Sequence, residues 1–324
     1  MRRFFKCLHL LLPFALFCAG GSPAHAAYPE KPIRIIVGFP AGSTGDIIAR
    51  ILAPRLSESL GQPIVVENKP GAGSSLAAEA VATAPADGYT LLLSTTANVI
   101  NPSLYPGLRF NFEKDLMPVM LVGEAPALLI AKSDLPFNSI KDLIAAAATE
   151  PGKYTFGSSG NGTFTHLYGE LFNQSARVKL THIPYKGSSA ALTDVVAGVV
   201  DLSFTPAAPV LANVKAGKVK ALAVIGSKRM PALPDVQTFT EAKVTGFDSA
   251  LWFGLNAPAQ TPAAVVERLT AELRKVLAQA DVKGQLAAQT IEVVAAPPAR
   301  FATVIAQDGA KWAAVVKSAN IKGD

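Results

Sequence analysis

Short apolar, β-rich runs alternate with amphipathic helical stretches along most of the chain, and this alternation restricts the fold more than any other feature. Strands are expected at 33–37, 64–67 and 89–93, with helices at 46–60 and 74–83 between them. A second series begins with a helix at 141–148, opened by a Ser139-x-x-Asp142 capping box. It continues with strands at 154–157, 179–183, 200–204 and 219–225, separated by helices at 163–174, 189–197 and 206–216. Such alternation predicts βαβ units and mainly parallel sheets, and nearly continuous apolar strands suit burial on both faces. Each series has the size of an ordinary structural lobe.

Two further apolar stretches connect the series. Residues 117–132 carry two strand-like runs around Gly123-Glu124, and 247–257 precede two helices expected at 262–278 and 298–319. The simplest path leaves the first lobe near 120–126 and returns near 248–254, which makes a two-stranded hinge. Lobe one is then discontinuous, 27–124 with 250–324, and lobe two is 125–249. No internal repeat or low-complexity linker is present, and the proline-rich 231–234 patch reads as a surface loop.

The first 26 residues read as a secretory leader. Arg2, Arg3 and Lys6 precede an apolar run over 8–19, and Ala24-His25-Ala26 places small residues where a signal peptidase reads them. The run is too short for a membrane anchor, which needs about 20 apolar residues. Cleavage is expected after Ala26. Cys7 and Cys18 both lie within the leader, so the mature chain has no cysteine. Phe17 before Cys18 is too bulky for a lipid-attachment site. Removing Arg2, Arg3 and Lys6 lowers the formal net charge from +6 to +3, and the remaining basic residues are scattered. No basic stripe interleaved with aromatics points to nucleic acid.

Three loops of one type carry the chemistry. The first, GFPAGSTGD at 38–46, joins a strand to a helix. Ligands of open α/β sheets bind at the carboxyl ends of strands, and a helix start offers unpaired N–H groups and a positive dipole end to an anion. Gly42, Ser43 and Thr44 serve equally as ligand donors or as parts of a helix cap, whereas Asp46 would repel an anion and reads as structural. The second loop, FGSSGNGT at 156–163, again joins strand to helix and reads equally as an oxyanion nest or as a tight turn with a capped helix. The third, PYKGSS at 184–189, adds Lys186, which could complement a carboxylate but taken alone reads more readily as a solvated loop lysine. None is a phosphate-binding P-loop or a dinucleotide fingerprint. Facing each other across a cleft, the three would focus N–H and O–H donors on one small anion.

An enzyme finds less support. A Ser159–His166 pair would suit a serine hydrolase, yet there is no Gly-x-Ser-x-Gly elbow. His166 falls inside a helix, where a packed role is commoner. Metal-ligand spacing is absent, and no cofactor is expected.

The motifs converge on a family. YPxKPI at 28–33, VENKPGAG at 66–73, PADGYTL at 85–91, the 157–163 loop followed by His166-Leu167, PYKG at 184–187, AGxVD at 197–201 and WxGLxAP at 252–258 together resemble the Bug family. These are the periplasmic solute-binding receptors of tripartite tricarboxylate transporters, and the resemblance covers essentially the whole mature chain. It implies an α/β, bilobed periplasmic binding protein of type II-like fold, with two Rossmann-like lobes joined by two crossing strands. It implies a monomeric periplasmic receptor, without enzymatic activity, that delivers a small carboxylate to membrane permease subunits. Family ligands range from citrate and dicarboxylates to acidic amino acids and aromatic acids. An orphan receptor feeding a sensor kinase is the alternative. The matching loops place Phe39, Gly42, Ser43 and Thr44 at the ligand, with Ser94, Thr95 and Asn98 after the third strand. From the second lobe they place Ser158, Ser159, Gly160, Thr163, Lys186 and Gly187 there. Asp201 matches a family position, but a strand-end role suits it better. Many members carry two adjacent glycines where this chain has Gly42-Ser43, so the loop here gains a hydroxyl and some bulk.

Overall fold

The computed structural model describes residues 28–248 and 250–323. The leader read at residues 1–26, its cleavage point and both cysteines lie outside them. Among the described residues the strands form one sheet of six and one of five, and no helix is long and apolar enough to cross a membrane.

The first sheet begins with β1 (Ile33–Val37), β2 (Ile64–Asn68) and β3 (Thr90–Thr95). β1 pairs parallel with both of the others. Helix α1 (Thr44–Leu60) crosses from β1 to β2, and α2 (Ser75–Ala82) from β2 to β3. α1 buries Ile48, Leu52, Leu56 and Leu60, a helical spacing that lays one apolar stripe against the protein interior. It ends at Gly61, whose φ of 71° is the left-handed turn that glycine takes without strain. After α3 (Thr96–Leu104) and the single turn α4 (Phe112–Asp115) comes the long strand β4 (Leu116–Ala125). Pro126 separates it from β5 (Ala127–Lys132), which belongs to the other sheet. The break therefore falls at Pro126 and not at Gly123-Glu124. Gly123 stays within β4, flanked by Phe253 and Val293, while a proline has no N–H to continue the ladder.

The second sheet has the order β7-β6-β8-β5-β9 and adds β6 (Thr155–Ser158), β7 (Thr181–Pro184), β8 (Leu202–Pro206) and β9 (Val219–Ile225). Its helices are α5 (Ile140–Thr149), α6 (Phe164–Ala176), α7 (Ser188–Val196) and the short α8 (Leu211–Lys215). Ser139 caps α5 by accepting the Asp142 N–H at 3.2 Å, as the capping box implied. The loop after β9 stays with this sheet: Val224 bridges Thr238, and Phe239 stacks on Phe247 at 4.0 Å. The chain returns as β10 (Leu251–Pro258), then α9 (Ala263–Ala278), α10 (Ala280–Ala288), β11 (Glu292–Ala296) and α11 (Pro298–Ser318). α10 and β11 were not expected from the sequence.

Both sheets are mixed, which corrects the mainly parallel expectation. Within each βα series the pairing is parallel, but β10 lies antiparallel between β3 and β4, and β5 antiparallel between β8 and β9. A strand arriving from the other lobe enters at the carboxyl ends of the parallel strands and must run against them. The same geometry turns the carboxyl ends of the two sheets toward each other. Asp201 sits at the opposite end of β8. It accepts the Thr155 N–H at 2.8 Å and pairs with Lys132 at 3.0 Å, so it ties the start of β6 to the end of β5.

The lobes share part of their core. α11 packs on α3 and β4 and also reaches α6 of the second lobe. There the fully buried Trp312 meets Tyr168 edge-on, with ring centroids 4.9 Å apart. Trp312, Tyr168, Phe247, Trp252 and Phe301 fall in one buried cluster.

Candidate ligand-binding site

Between the facing carboxyl ends lies a cavity of about 290 Å³, lined from both lobes. On the first lobe the chain leaves β1 through Gly38, where a Cβ would fall 2.7 Å from the Ser74 Cα. Only glycine lets the loop pass there. Phe39, Ser43, Thr44 and Gly45 then reach the cavity. Ser43 caps α1 by accepting the Asp46 N–H at 3.4 Å. The buried Asp46 carboxylate turns away and accepts from Gly42 N (2.9 Å), Asn68 (2.9 Å) and Arg50 (3.0 Å). Burial pushes the Asp46 carboxyl up, but the Arg50, Gly42 and Asn68 hydrogen bonds outweigh it and hold it below the ordinary carboxylate value. Asp46 thus braces the loop as an anion.

Thr95 and Asn98 form a reciprocal capping box that opens α3: Thr95 Oγ1 accepts the Ala97 N–H at 3.2 Å, and Asn98 Oδ1 accepts the Thr95 N–H at 2.9 Å. Ser94 is fully buried, with its hydroxyl 2.6 Å from Asn256 Oδ1 on β10.

On the second lobe Ser159, Asn161, Gly162, Thr163, Phe164 and Thr165 line the cavity around the start of α6. Ser159 donates its N–H to Thr165 Oγ1 at 2.7 Å, and the two hydroxyls lie 2.9 Å apart. Beneath this loop two imidazoles stack face to face, His166 on His182, at 3.7 Å and 8°. His166 Nδ1 accepts the Gly162 N–H at 3.1 Å, and its Nε2 lies 3.8 Å from Glu170. His166 Nδ1 is therefore engaged by the loop backbone, and its Nε2 faces Glu170 on its own helix instead of Ser159. The close serine–histidine contact is instead Ser158 Oγ to His182 Nε2 at 2.6 Å, with Ser158 fully buried.

Burial pushes His182 down from 6.5 to about 4. A base depressed in the folded state is protonated first in the unfolded chain. Its contribution to stability is complete above pH 6.5 and is lost as the pH falls from 6.5 towards 4. Allowing for partial exposure, the loss should be on the order of 2 kcal/mol. Urea midpoints at pH 7 and pH 4.5 should show this drop in the native protein and a smaller one in His182→Gln. Equal drops would remove His182 as its source.

The structure brings Phe39, Ser43, Thr44, Thr95, Ser159 and Thr163 together at the cavity wall. Ser94, Asn98 and Ser158 are buried and engaged behind it. Gly42, Gly160 and Gly187 shape the loops at φ of 81°, 129° and 120° without lining the cavity. Lys186 is exposed and outside the lining. Sequence reasoning missed the α3 face carrying Ala97, Ile100 and Leu104, then Tyr105 after it, and Leu251 and Phe253 of β10. The i, i+3, i+7 spacing behind a Thr95-x-x-Asn98 cap was the available signal for that face.

The sequence profile of the tripartite tricarboxylate transporter family receptor matches residues 48–321. The chain belongs to that receptor family. Protein BugT of Bordetella pertussis is 36% identical over 297 residues, 91% of each chain. The solved structure of Rpa4515 from R. palustris with adipate is 33% identical, with a TM-score of 0.77 over 91% of this chain and 99% of that one. MatC from Rhodopseudomonas palustris with bound malate is 31% identical, with a TM-score of 0.74 over 89% of this chain and 100% of that one. The family consists of periplasmic binding proteins and not enzymes, so the hydrolase alternative falls, and the bilobed architecture expected from the sequence is the one found.

Proposed function

We propose that this receptor captures a small carboxylate between its lobes and passes it to the membrane subunits of a tripartite transporter. The observation that carries this reading is the cavity itself. Helix starts from both lobes converge on it, hydroxyls line it, and among the described residues no charged side chain does. Helix N-termini and neutral donors suit a carboxylate. Adipate and malate in the two solved relatives support the ligand class, and the family match favours a transporter over a sensor kinase. The moving bodies in this reading are 27–124 with 250–324 against 125–249, turning about Pro126 and the return before β10.

A hydrogen bond to a charged group is worth roughly 1.5–3 kcal/mol. Ser43→Ala and Ser159→Ala should therefore each weaken carboxylate binding about tenfold or more, read by calorimetry. If the serines only brace helices, each variant would lose about 1 kcal/mol of stability with affinity unchanged, and the proposal would fail at these residues. In the same reading the leader is removed after Ala26 on export. Intact mass of the exported protein should place its start near Ala27, and a retained leader or a lipid on Cys18 would contradict it.

A further inference from the structure

A second cavity, of about 540 Å³, lies between the lobes away from the candidate site. One wall is the loop that follows β9, with Met230, Pro231 and Ala232. The opposite wall is the turn from α10 into β11, with Ala287 and Ile291. An exposed ion pair between Lys228 and Glu292 links the two walls. Pro126 and Ala250, from the two segments that cross between the lobes, also line it.

Strand order places the two cavities on opposite sides of those crossings. In the first sheet β11 lies on one side of β4, and β10, β3, β1 and β2 lie on the other. In the second sheet β9 lies on one side of β5, and β8, β6 and β7 lie on the other. The second cavity is built beside β11 and β9, whereas the candidate site is built from β10 and from residues at the ends of β1, β3, β6 and β8. The consecutive residues Ala250 and Leu251 mark the divide, since the first lines the second cavity and the next lines the candidate site.

Two stiff lobes joined at a pivot move as a seesaw, so rotation that narrows the space on one side widens the space on the other. On the binding side the lobes are together, with Gly162 of the second against Leu104 of the first, while the walls of the second cavity stand apart. Swinging the lobes the other way would bring Pro231 and Ala232 toward Ala287 and withdraw apolar surface from water. The Lys228–Glu292 pair is too exposed to oppose this strongly.

We infer that the second cavity is a counterweight to the binding cleft: contact between its walls favours the open receptor, and a body that props them apart holds the cleft shut. This rests on the lobe motion proposed above and deepens it.

Spin labels read the lobe separation directly. Both cysteines precede residue 27, so the leader-free protein can be labelled at Lys69→Cys and Ser189→Cys alone, exposed positions after β2 and in the first turn of α7. Without any carboxylate, Ala232→Trp and Ala287→Trp should each shift the separation toward shorter values, one from each wall. Ala232→Ser should leave it as in the native protein. Ala287 is exposed near the end of α10, so that variant carries the test even where Ala232→Trp fails to fold. An unmoved separation in a tryptophan variant that melts normally would overturn the inference. Titration of the same proteins with malate, adipate and citrate separates it from the receptor reading. If the free native protein is closed about a tenth of the time, a propped variant should bind the preferred acid about tenfold more tightly. A shortened separation with unchanged affinity would keep the counterweight and overturn capture by closure. A shortened separation with none of the three acids bound would keep the counterweight and count against the carboxylate reading.

Discussion

Replacing Trp312 by alanine should lower stability by about 3–5 kcal/mol, the range for deleting a large buried aromatic. The indole is fully buried on α11, packs edge-on against Tyr168 of the second lobe at 4.9 Å, and lies beneath the Lys311 ammonium at 4.5 Å. The ring pair adds about 0.5–1.5 kcal/mol beyond the burial of area. Trp312→Phe should be far milder, on the order of 1 kcal/mol, because the indole N–H has no hydrogen-bond partner among the described residues and its loss leaves nothing unpaired there. Urea denaturation of the two variants separates a packed joint from a tolerant surface. A cost below about 1 kcal/mol for the alanine would mean that the lobes do not share a core there.

Gly162→Val should weaken carboxylate binding about ten- to hundredfold, from an overpacking cost of roughly 1–3 kcal/mol. Gly162 has a φ of 67°, and a Cβ there would lie 2.7 Å from Leu104 Cδ1. Two effects are thus superimposed. Left-handed strain, about 1–2 kcal/mol for a side-chain-bearing residue, is present whether the lobes are apart or together and lowers the melting temperature of the free protein. The collision with Leu104 sets a loop of the second lobe against a helix of the first, so under the proposed lobe closure it counts against the closed form and appears in the affinity. Leu104→Ala in the Gly162→Val background should restore part of the binding without restoring the melting temperature. A variant that melts lower yet binds normally would show that the lobes do not meet at this contact.

Local chemistry was legible in the sequence. β1 and β9 have the bounds their apolar runs implied, and Ser139 caps α5 as its box predicts. The loops that begin α1, α6 and α7 were found because Gly, Ser and Thr have short-range conformational meaning. Sheet assembly was not legible, since Ser94 of β3 pairs with Gly254 of β10, a partner far along the chain. α3 was hidden by its Asn-Pro-Ser content, poor helix formers that tertiary packing overrides. Ser158 and Ser159 show the limit at a single residue. Successive side chains of an extended segment point to opposite faces, so one is sealed against His182 while its neighbour lines the cavity. The apolar half of the site, Leu251 and Phe253, read simply as a crossing strand because a wall is defined by what it faces.

The six-stranded sheet is completed in an order unlike that of synthesis. Its middle position, between β3 and β4, belongs to β10, and its far edge to β11. A chain emerging amino end first carries β1 to β4 long before the strand that joins them exists, whereas every strand of the five-stranded sheet is present once β9 has emerged. Closing so long a loop is entropically costly and slow. The amino-terminal lobe therefore stays unfinished until residues past 258 are made, so the lobe begun first is the last to be completed.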